Sequence, residues 1–137
     1  MKIYISGSIY GGTEKIETYQ KLIPALEKYG EVLDKQIADP STVANEAFQN
    51  DEDIYLDLES KLISADVIFA EVTIPSLGVG FELGFADKLG KRIIAIYDEV
   101  YTPKISTMIR GNKRIKLIPY KNISEIIDNL DTLILNS

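Results

Sequence analysis

Apolar and polar positions along this chain alternate between two periods, which predict strands and helices in turn. Short β-branched runs predict five strands, at residues 2–6, 31–37, 66–72, 92–97 and 115–119. Apolar residues at helical spacing predict helices at residues 13–29, 54–64, 78–90 and 124–135, with at most a short helix within residues 102–110. The polar stretch 40–53 predicts an irregular loop or a frayed helix start.

This alternation predicts a doubly wound α/β fold of the flavodoxin-like or Rossmann-like kind. Five strands separated by helices imply a parallel sheet in the order 2-1-3-4-5, with helices on both faces. The chain has 137 residues and shows no repeat or linker, so we expect a single domain over residues 1–137. Ligands of such sheets bind at the carboxyl ends of the strands, which directs attention to the loops at residues 7–12 and 73–80.

Composition narrows the chemistry that this chain can perform. It contains no Cys and no His, which excludes disulfides, Cys/His zinc sites, Cys nucleophiles and any catalytic triad that uses imidazole. With 15 basic and 21 acidic residues the formal net charge is −6, so a nucleic acid polymer is not the expected partner. The apolar runs are too short to span a membrane and no signal-peptide pattern is present, so a cytoplasmic protein is expected.

The first loop, residues 6–13, reads SGSIYGGT. Its glycines let backbone N–H groups approach a ligand, and the helix that follows favours an anion at its start. The loop matches neither GxGxxG nor the phosphate-binding P-loop pattern, so a plain strand-to-helix turn remains the alternative interpretation.

The second loop ends a buried strand and opens a helix with the sequence EVTIPSLGVGFELG. Glu82 lies near the start of that helix, where the positive helix end stabilises an ionised carboxylate that could act as nucleophile or base. The alternatives are that Glu82 merely complements the helix dipole, or that Glu71 on the buried strand is the reactive acid. Asp57, between Leu56 and Leu58, is by its spacing favoured to face solvent.

These segments together resemble the 2'-deoxynucleoside 5'-monophosphate N-hydrolases, within the nucleoside 2-deoxyribosyltransferase superfamily. The resemblance is carried, in order, by GSIxGG after a strand containing Tyr4, by DLESKL, by EVTxPSLGVGxELG and by SxMIRG. It implies cleavage of the bond between a base and deoxyribose 5'-phosphate without metal or cofactor. It further implies that Glu82 is the nucleophile, that Asp57 is the acid that protonates the leaving base, and that Tyr4 orients Glu82.

The resemblance also implies how the substrate is held. Ser76, Gly78 and Ser106 would bind the 5'-phosphate, and Gly7 and Ile9 would line the sugar and base. The full set of expected substrate-binding residues is Gly7, Ile9, Tyr10, Ser76, Gly78, Ser106 and Met108. Tyr10 replaces an Arg that this family often has, and Gln36 replaces a His.

Three other functions stay open on the sequence. A nucleoside 2-deoxyribosyltransferase would use free nucleosides, a CMP-type N-glycosidase would use ribonucleotides, and a flavodoxin-like protein would bind FMN or a nucleotide without catalysis. The apolar residues Ile105, Met108 and Ile109 around Ser106 predict a partner surface. The resemblance implies a homodimer in which this segment contributes to the neighbouring subunit's site.

Overall fold

The structure is a computed structural model and describes residues 1–9, 15–102 and 104–135. Its five strands all run parallel, in the order β2-β1-β3-β4-β5, which confirms the predicted topology. The strands are β1 (Lys2–Gly7), β2 (Glu31–Leu33), β3 (Val67–Glu71), β4 (Arg92–Asp98) and β5 (Ile115–Tyr120).

Helices follow each strand along the chain. They are α1 (Ile16–Leu26), α2 (Thr42–Glu46), α3 (Asp51–Ser64), α4 (Leu77–Lys88), α5 (Thr107–Arg110) and α6 (Ile123–Ile127), with a 3₁₀ turn at Lys35–Ala38 and a π-helical turn at Asp131–Leu135. In the described part of the chain no helix is long and apolar enough to cross a bilayer.

The second strand ends earlier than its apolar pattern predicts. The prediction of a strand over residues 31–37 is wrong beyond Leu33, because Asp34 adopts a left-handed backbone conformation with φ 68° and a 3₁₀ turn follows. Asp is among the few residues that tolerate this conformation. The turn directs the chain over the carboxyl end of the sheet instead of along its edge.

Two helical regions also differ from their patterns. The segment expected to be irregular contains α2, and α3 begins at Asp51 because the Asn50 side chain accepts a hydrogen bond from Asp53 N at 2.9 Å. The closing helix predicted over residues 124–135 is divided into α6 and the π-helical turn.

The sheet separates two apolar clusters, and this division orients the residues of β1. Ile3 and Ile5 pack with α1 and α6 on one face, whereas Tyr4 packs with α3 and α4 on the other. Successive side chains of a strand point to opposite faces, so Tyr4 necessarily faces the helix that carries Glu82. Tyr4 is fully buried there.

Candidate active site

A cavity of about 280 Å³ opens at the carboxyl ends of β1, β2 and β3. It lies where the direction of winding reverses, the position at which doubly wound sheets bind ligands. Its lining residues come from the end of β1, the turn after β2, helices α2 and α3, and the start of α4; they include Gly7, Ile9, Asp34, Leu58, Ser76 and Glu82.

Glu82 lies in the second turn of α4 with its carboxyl group largely buried. Burial raises its pKa to about 7; the Tyr4 and Ser6 hydroxyls lower the value, whereas the charge of Asp34 raises it. Among the described residues its Oε2 atom is buried without a hydrogen-bond partner. Glu82 therefore combines an incomplete set of hydrogen bonds with a pKa close to neutrality, as expected of a reactive carboxylate.

Tyr4 connects Glu82 with a second carboxyl group. Its hydroxyl lies 3.4 Å from Oδ2 of Asp34, to which it donates, and also contacts Glu82. Burial raises the Tyr4 pKa strongly, and the negative charges of Glu82 and Asp34 raise it further. The hydroxyl thus keeps its single hydrogen, which can be donated to one carboxylate at a time.

Asp34 is the site residue that the sequence analysis missed. Its side chain is 8% exposed, lines the same cavity as Glu82 and has a pKa that burial raises to about 6. Lys61 Nζ lies 3.7 Å from its Oδ1 atom and lowers that pKa. The sequence analysis placed Asp34 inside the predicted strand 31–37, because the apolar residue Ile37 extends the strand pattern beyond it.

Asp57 is not placed beside Glu82. Its side chain is 59% exposed and its Oδ2 atom pairs with Lys61 Nζ at 2.8 Å. It lines a neighbouring cavity of about 240 Å³ and not the first one, whereas Leu58, the next residue of α3, lines both cavities. The solvent-facing position that spacing alone favours for Asp57 is the observed one.

Ser76 lies at the junction of the cavity and the start of α4. Its Oγ accepts a hydrogen bond from Val79 N at 3.3 Å, which caps the 12-residue helix. Gly78 occupies the first turn, where the backbone N–H groups are not used within the helix. This end of α4 offers donors and a positive dipole end to an anion.

Gly7 ends β1 in close contact with α1. A Cβ atom at this position would lie 2.6 Å from the Tyr19 hydroxyl oxygen and 2.7 Å from Cζ of its ring. Tyr19 is 1% exposed, and its hydroxyl donates to the Ser8 carbonyl at 3.0 Å. Because position 7 is glycine, the Tyr19 ring can pack against the end of β1 and its hydroxyl can donate to the Ser8 carbonyl.

Two of the residues expected to bind the substrate, Ser106 and Met108, lie away from the cavity of their own chain. Ser106 caps α5 by accepting a hydrogen bond from Met108 N at 3.3 Å, and Met108 is 82% exposed. Neither residue lines the cavity described above. Tyr10, the expected neighbour of the phosphate, lies outside the described residues.

Glu71, the other acid considered from the sequence, is fully engaged. It is 1% exposed and accepts hydrogen bonds from Thr73 N at 2.7 Å, Thr73 Oγ1 at 2.8 Å and the Tyr120 hydroxyl. These bonds fix the start of the loop that leads to α4. Glu71 therefore stabilises the site from beneath the loop and does not line the cavity, whereas Glu82 does.

The family model of nucleoside 2-deoxyribosyltransferase matches residues 3–114 of this chain. The 5-hydroxymethyl-dUMP N-hydrolase of Esox lucius is 40% identical over 114 residues, covering 81% of this chain and 79% of that protein. The enzyme of the same name from Rattus norvegicus is 41% identical over 111 residues, covering 80% of this chain and 68% of that protein.

Among solved structures, Clostridium botulinum CMP N-glycosidase has the same fold. Its TM-score is 0.73 at 22% sequence identity, and the match covers 98% of this chain and all of that one. The comparison thus confirms the predicted fold class, a five-stranded parallel sheet with the order 2-1-3-4-5 and helices on both faces.

Proposed function

This chain belongs to the nucleoside 2-deoxyribosyltransferase family and is an N-glycosidase, and from that premise we propose that it hydrolyses 2'-deoxynucleoside 5'-monophosphates to a free base and 2-deoxyribose 5-phosphate. The observation that carries the proposal is the buried Glu82 carboxyl, held by Tyr4 in a cavity that Ser76 and the start of α4 also line. The names of the two N-hydrolases support the same substrate class.

Glu82 is the nucleophile of the proposed reaction. Its ionised carboxylate attacks the anomeric carbon through an oxocarbenium-like transition state, and the resulting glycosyl ester is then hydrolysed by water. The Tyr4 hydroxyl donates to the carboxylate and keeps it oriented. The leaving base takes a proton from a second carboxylic acid, which later accepts one from the attacking water.

Ser76 and the N-terminus of α4 favour a 5'-phosphate over a free 5'-hydroxyl. A serine hydroxyl and unpaired backbone N–H groups donate hydrogen bonds, and the helix dipole stabilises the negative charge. A carboxylate in the same place would repel phosphate and suit a nucleoside. The serine at position 76 therefore points to nucleotide hydrolysis within this family.

Incubation with each deoxynucleotide and deoxynucleoside, with and without an acceptor base, should yield free base and 2-deoxyribose 5-phosphate from the nucleotides. We expect kcat/KM for the preferred nucleotide to exceed that for its nucleoside by about 100-fold, as a few charge-assisted hydrogen bonds to phosphate provide. Chromatography of the products measures both rates. A higher rate for the nucleoside, or transfer to the acceptor base as the main reaction, would contradict the proposal and indicate a deoxyribosyltransferase.

Ser76→Asp is the matched variant for this preference. Asp caps a helix as well as Ser does, so the variant should keep its melting temperature, whereas its charge should repel the phosphate. The ratio of nucleotide to nucleoside kcat/KM should fall at least tenfold. An unchanged ratio in a folded variant would show that the phosphate lies elsewhere.

The site is shared between two copies of the chain. Ser106 caps α5 and Met108 lies on it, both outside the cavity of their own chain, and Met108, Leu77 and Phe81 are exposed apolar residues. An apolar surface of this kind favours a two-fold interface, which could bring α5 of one copy to the cavity of the other. This arrangement gives Ser106 its role at the 5'-phosphate.

Mixing two inactive or impaired chains tests the shared site. A Ser106→Ala chain combined with a Glu82→Gln chain forms heterodimers with one intact site and one doubly altered site. Activity after exchange should rise above the mean of the two separate proteins. Subunit exchange is confirmed by native mass spectrometry, and activity that stays at that mean despite exchange, or a fully active monomer, contradicts the shared site.

A further inference from the structure

We propose that Asp98 is a positioning residue that holds the phosphate-binding segments of the site from the opposite face of the sheet. It bonds to three parts of the chain: Lys15 at the start of α1, Thr73 in the loop that leads to α4, and the turn that follows β4. The inference rests on the proposed hydrolysis of nucleotides and identifies residues that make a nucleotide bind better than its nucleoside.

Asp98 ends β4, and its carboxylate forms an enclosed ion pair with Lys15. Lys15 immediately precedes α1, its side chain is 9% exposed, and its Nζ atom lies 2.7 Å from Asp98 Oδ2. The same Nζ atom lies 5.5 Å from the ring centre of Tyr101 and 5.7 Å from that of Tyr120. Both rings are close enough to stabilise the ammonium group. The start of α1 is therefore attached to the end of β4.

The other carboxylate oxygen of Asp98 stabilises the turn after β4. Oδ1 accepts hydrogen bonds from Val100 N at 3.0 Å and Tyr101 N at 3.3 Å, as aspartates in turns commonly do. Ser106, which caps α5, follows this turn in the chain. Burial acts to raise the Asp98 pKa, but the hydrogen bonds from Lys15 and from the two N–H groups outweigh it. The pKa is therefore below its ordinary value, and the carboxylate is ionised.

The backbone of Asp98 reaches the loop before α4 through Thr73. Asp98 N donates to Thr73 Oγ1 at 2.9 Å, and the Thr73 hydroxyl donates its own hydrogen to Glu71 Oε2 at 2.8 Å. Glu71 also accepts from Thr73 N at 2.7 Å and from the Tyr120 hydroxyl on β5. Thr73 is buried and lies three residues before Ser76, which caps α4 and lines the cavity. The network thus fixes the backbone from which Ser76 extends.

This network lies on the face of the sheet opposite to Glu82. Ile94 and Ile96 of β4 pack in the cluster with α1 and α6, and the alternation of the strand gives Asp98 the same face. Tyr4, which contacts Glu82, packs in the cluster on the other face. The network can therefore set the position of the phosphate-binding segments without touching the reacting carboxylate. Its loss should weaken nucleotide binding more than it slows the chemical step.

The first test measures kcat and KM for a deoxynucleotide and its nucleoside in full-length Asp98→Asn, Lys15→Met and the double variant. Asparagine can still accept from the turn, so Asp98→Asn removes the ionic contact alone. In each single variant we expect KM for the nucleotide to rise about tenfold, while its kcat stays within about threefold and KM for the nucleoside within about twofold. The double variant should lose about as much as one single variant, because the two side chains act through one contact.

Thr73→Val and Thr73→Ser test the connection to Ser76 without altering the ion pair. Valine has the shape of threonine but no hydroxyl, so Asp98 N loses its acceptor, whereas serine keeps it. Thr73→Val should raise KM for the nucleotide about tenfold, and Thr73→Ser should stay within about threefold of the parent. Melting temperatures verify folding. Because the two tests alter different residues, either one decides the question if a substitution in the other prevents folding.

Asp87→Asn is the control for general destabilisation, because it breaks an ion pair of the same 2.7 Å length with Arg114 at the far end of α4. It should leave both KM values unchanged. An unchanged nucleotide KM in folded Asp98→Asn and Thr73→Val, or equal rises in KM for nucleotide and nucleoside, would overturn the role of Asp98 while leaving the proposed function standing. Failure of the parent enzyme to cleave any deoxynucleotide would instead remove the proposed function, and this inference with it.

Discussion

Glu82→Gln should lower kcat by at least about 10⁴-fold while leaving the fold and substrate binding in place. The amide has the shape of the carboxyl group, and it can still accept a hydrogen bond from the Tyr4 hydroxyl that contacts Glu82. It cannot, however, form the ester bond to the anomeric carbon, so the covalent step is lost. Losses of this size are usual when a covalent nucleophile is removed, and single-turnover kinetics measures them.

A substrate with a 4-nitrophenyl group in place of the base sharpens this prediction. Because Glu82 acts on the sugar and not on the base, its loss should be as severe on the 4-nitrophenyl glycoside of 2-deoxyribose 5-phosphate, whose leaving group departs without a proton, as on a nucleotide. Isothermal calorimetry with the nucleotide should give a Kd within about tenfold of the parent value. A Glu82→Gln variant that keeps activity within about tenfold of the parent would falsify the nucleophile assignment.

The second large effect concerns stability, which should depend on pH through the same carboxyl group. Glu82 has a pKa near 7 in the folded protein against an ordinary value of 4.5, mainly because of burial. The folded state holds the proton more tightly than the unfolded chain, so this contribution to stability is present below pH 4.5 and is lost as pH rises through 7. The loss is on the order of 3 kcal/mol.

Glu82→Gln removes that dependence. The variant should be about as stable as the parent near pH 5 and more stable near pH 8.5, by a difference in melting temperature of about 10 °C. Asp87→Asn is the matched control, because folding lowers the pKa of Asp87 whereas it raises the pKa of Glu82. Arg114 lowers the Asp87 pKa to about 2, so its loss should destabilise the protein equally across that pH range. Melting curves at five pH values measure both, and parallel curves for the parent and Glu82→Gln would contradict the prediction.

The fold and the location of the site were predictable from the sequence because they depend on patterns within single elements. Buried β-branched runs such as β3 mark a parallel sheet, and the sheet order fixes which loops meet. The Pro and Ser before α4 announce its start, so Glu82 could be placed near a helix N-terminus without coordinates. Such local signals are enough to predict the position of a residue that depends on a single helix or strand.

The position of Asp34 in the cavity was not predictable in this way because contacts from several elements determine it. Asp34 has a left-handed backbone conformation and a 3₁₀ turn follows it, whereas the apolar pattern of residues 31–37 predicts a strand that continues through this position. Its partner Tyr4 faces α4 through the alternation of β1, and the sequence alone does not show that the two side chains meet. Asp57 lies in a motif that matches in order, and in the structure its side chain is 59% exposed and paired with Lys61, so its role as the acid stays a prediction.

The close fit between Gly7 and Tyr19 has a consequence for how this family can diverge. Any side chain at position 7 collides with the ring carbon Cζ as well as the hydroxyl of a buried tyrosine, so phenylalanine at position 19 would not relieve it. The two positions should therefore covary: a chain with alanine or serine at position 7 should carry a shorter residue at position 19. The Ser8 carbonyl then loses its hydrogen-bond donor. Positions 7 and 19 are thus coupled, so that a residue 7 taken from another family member should be accompanied by that protein's own residue 19.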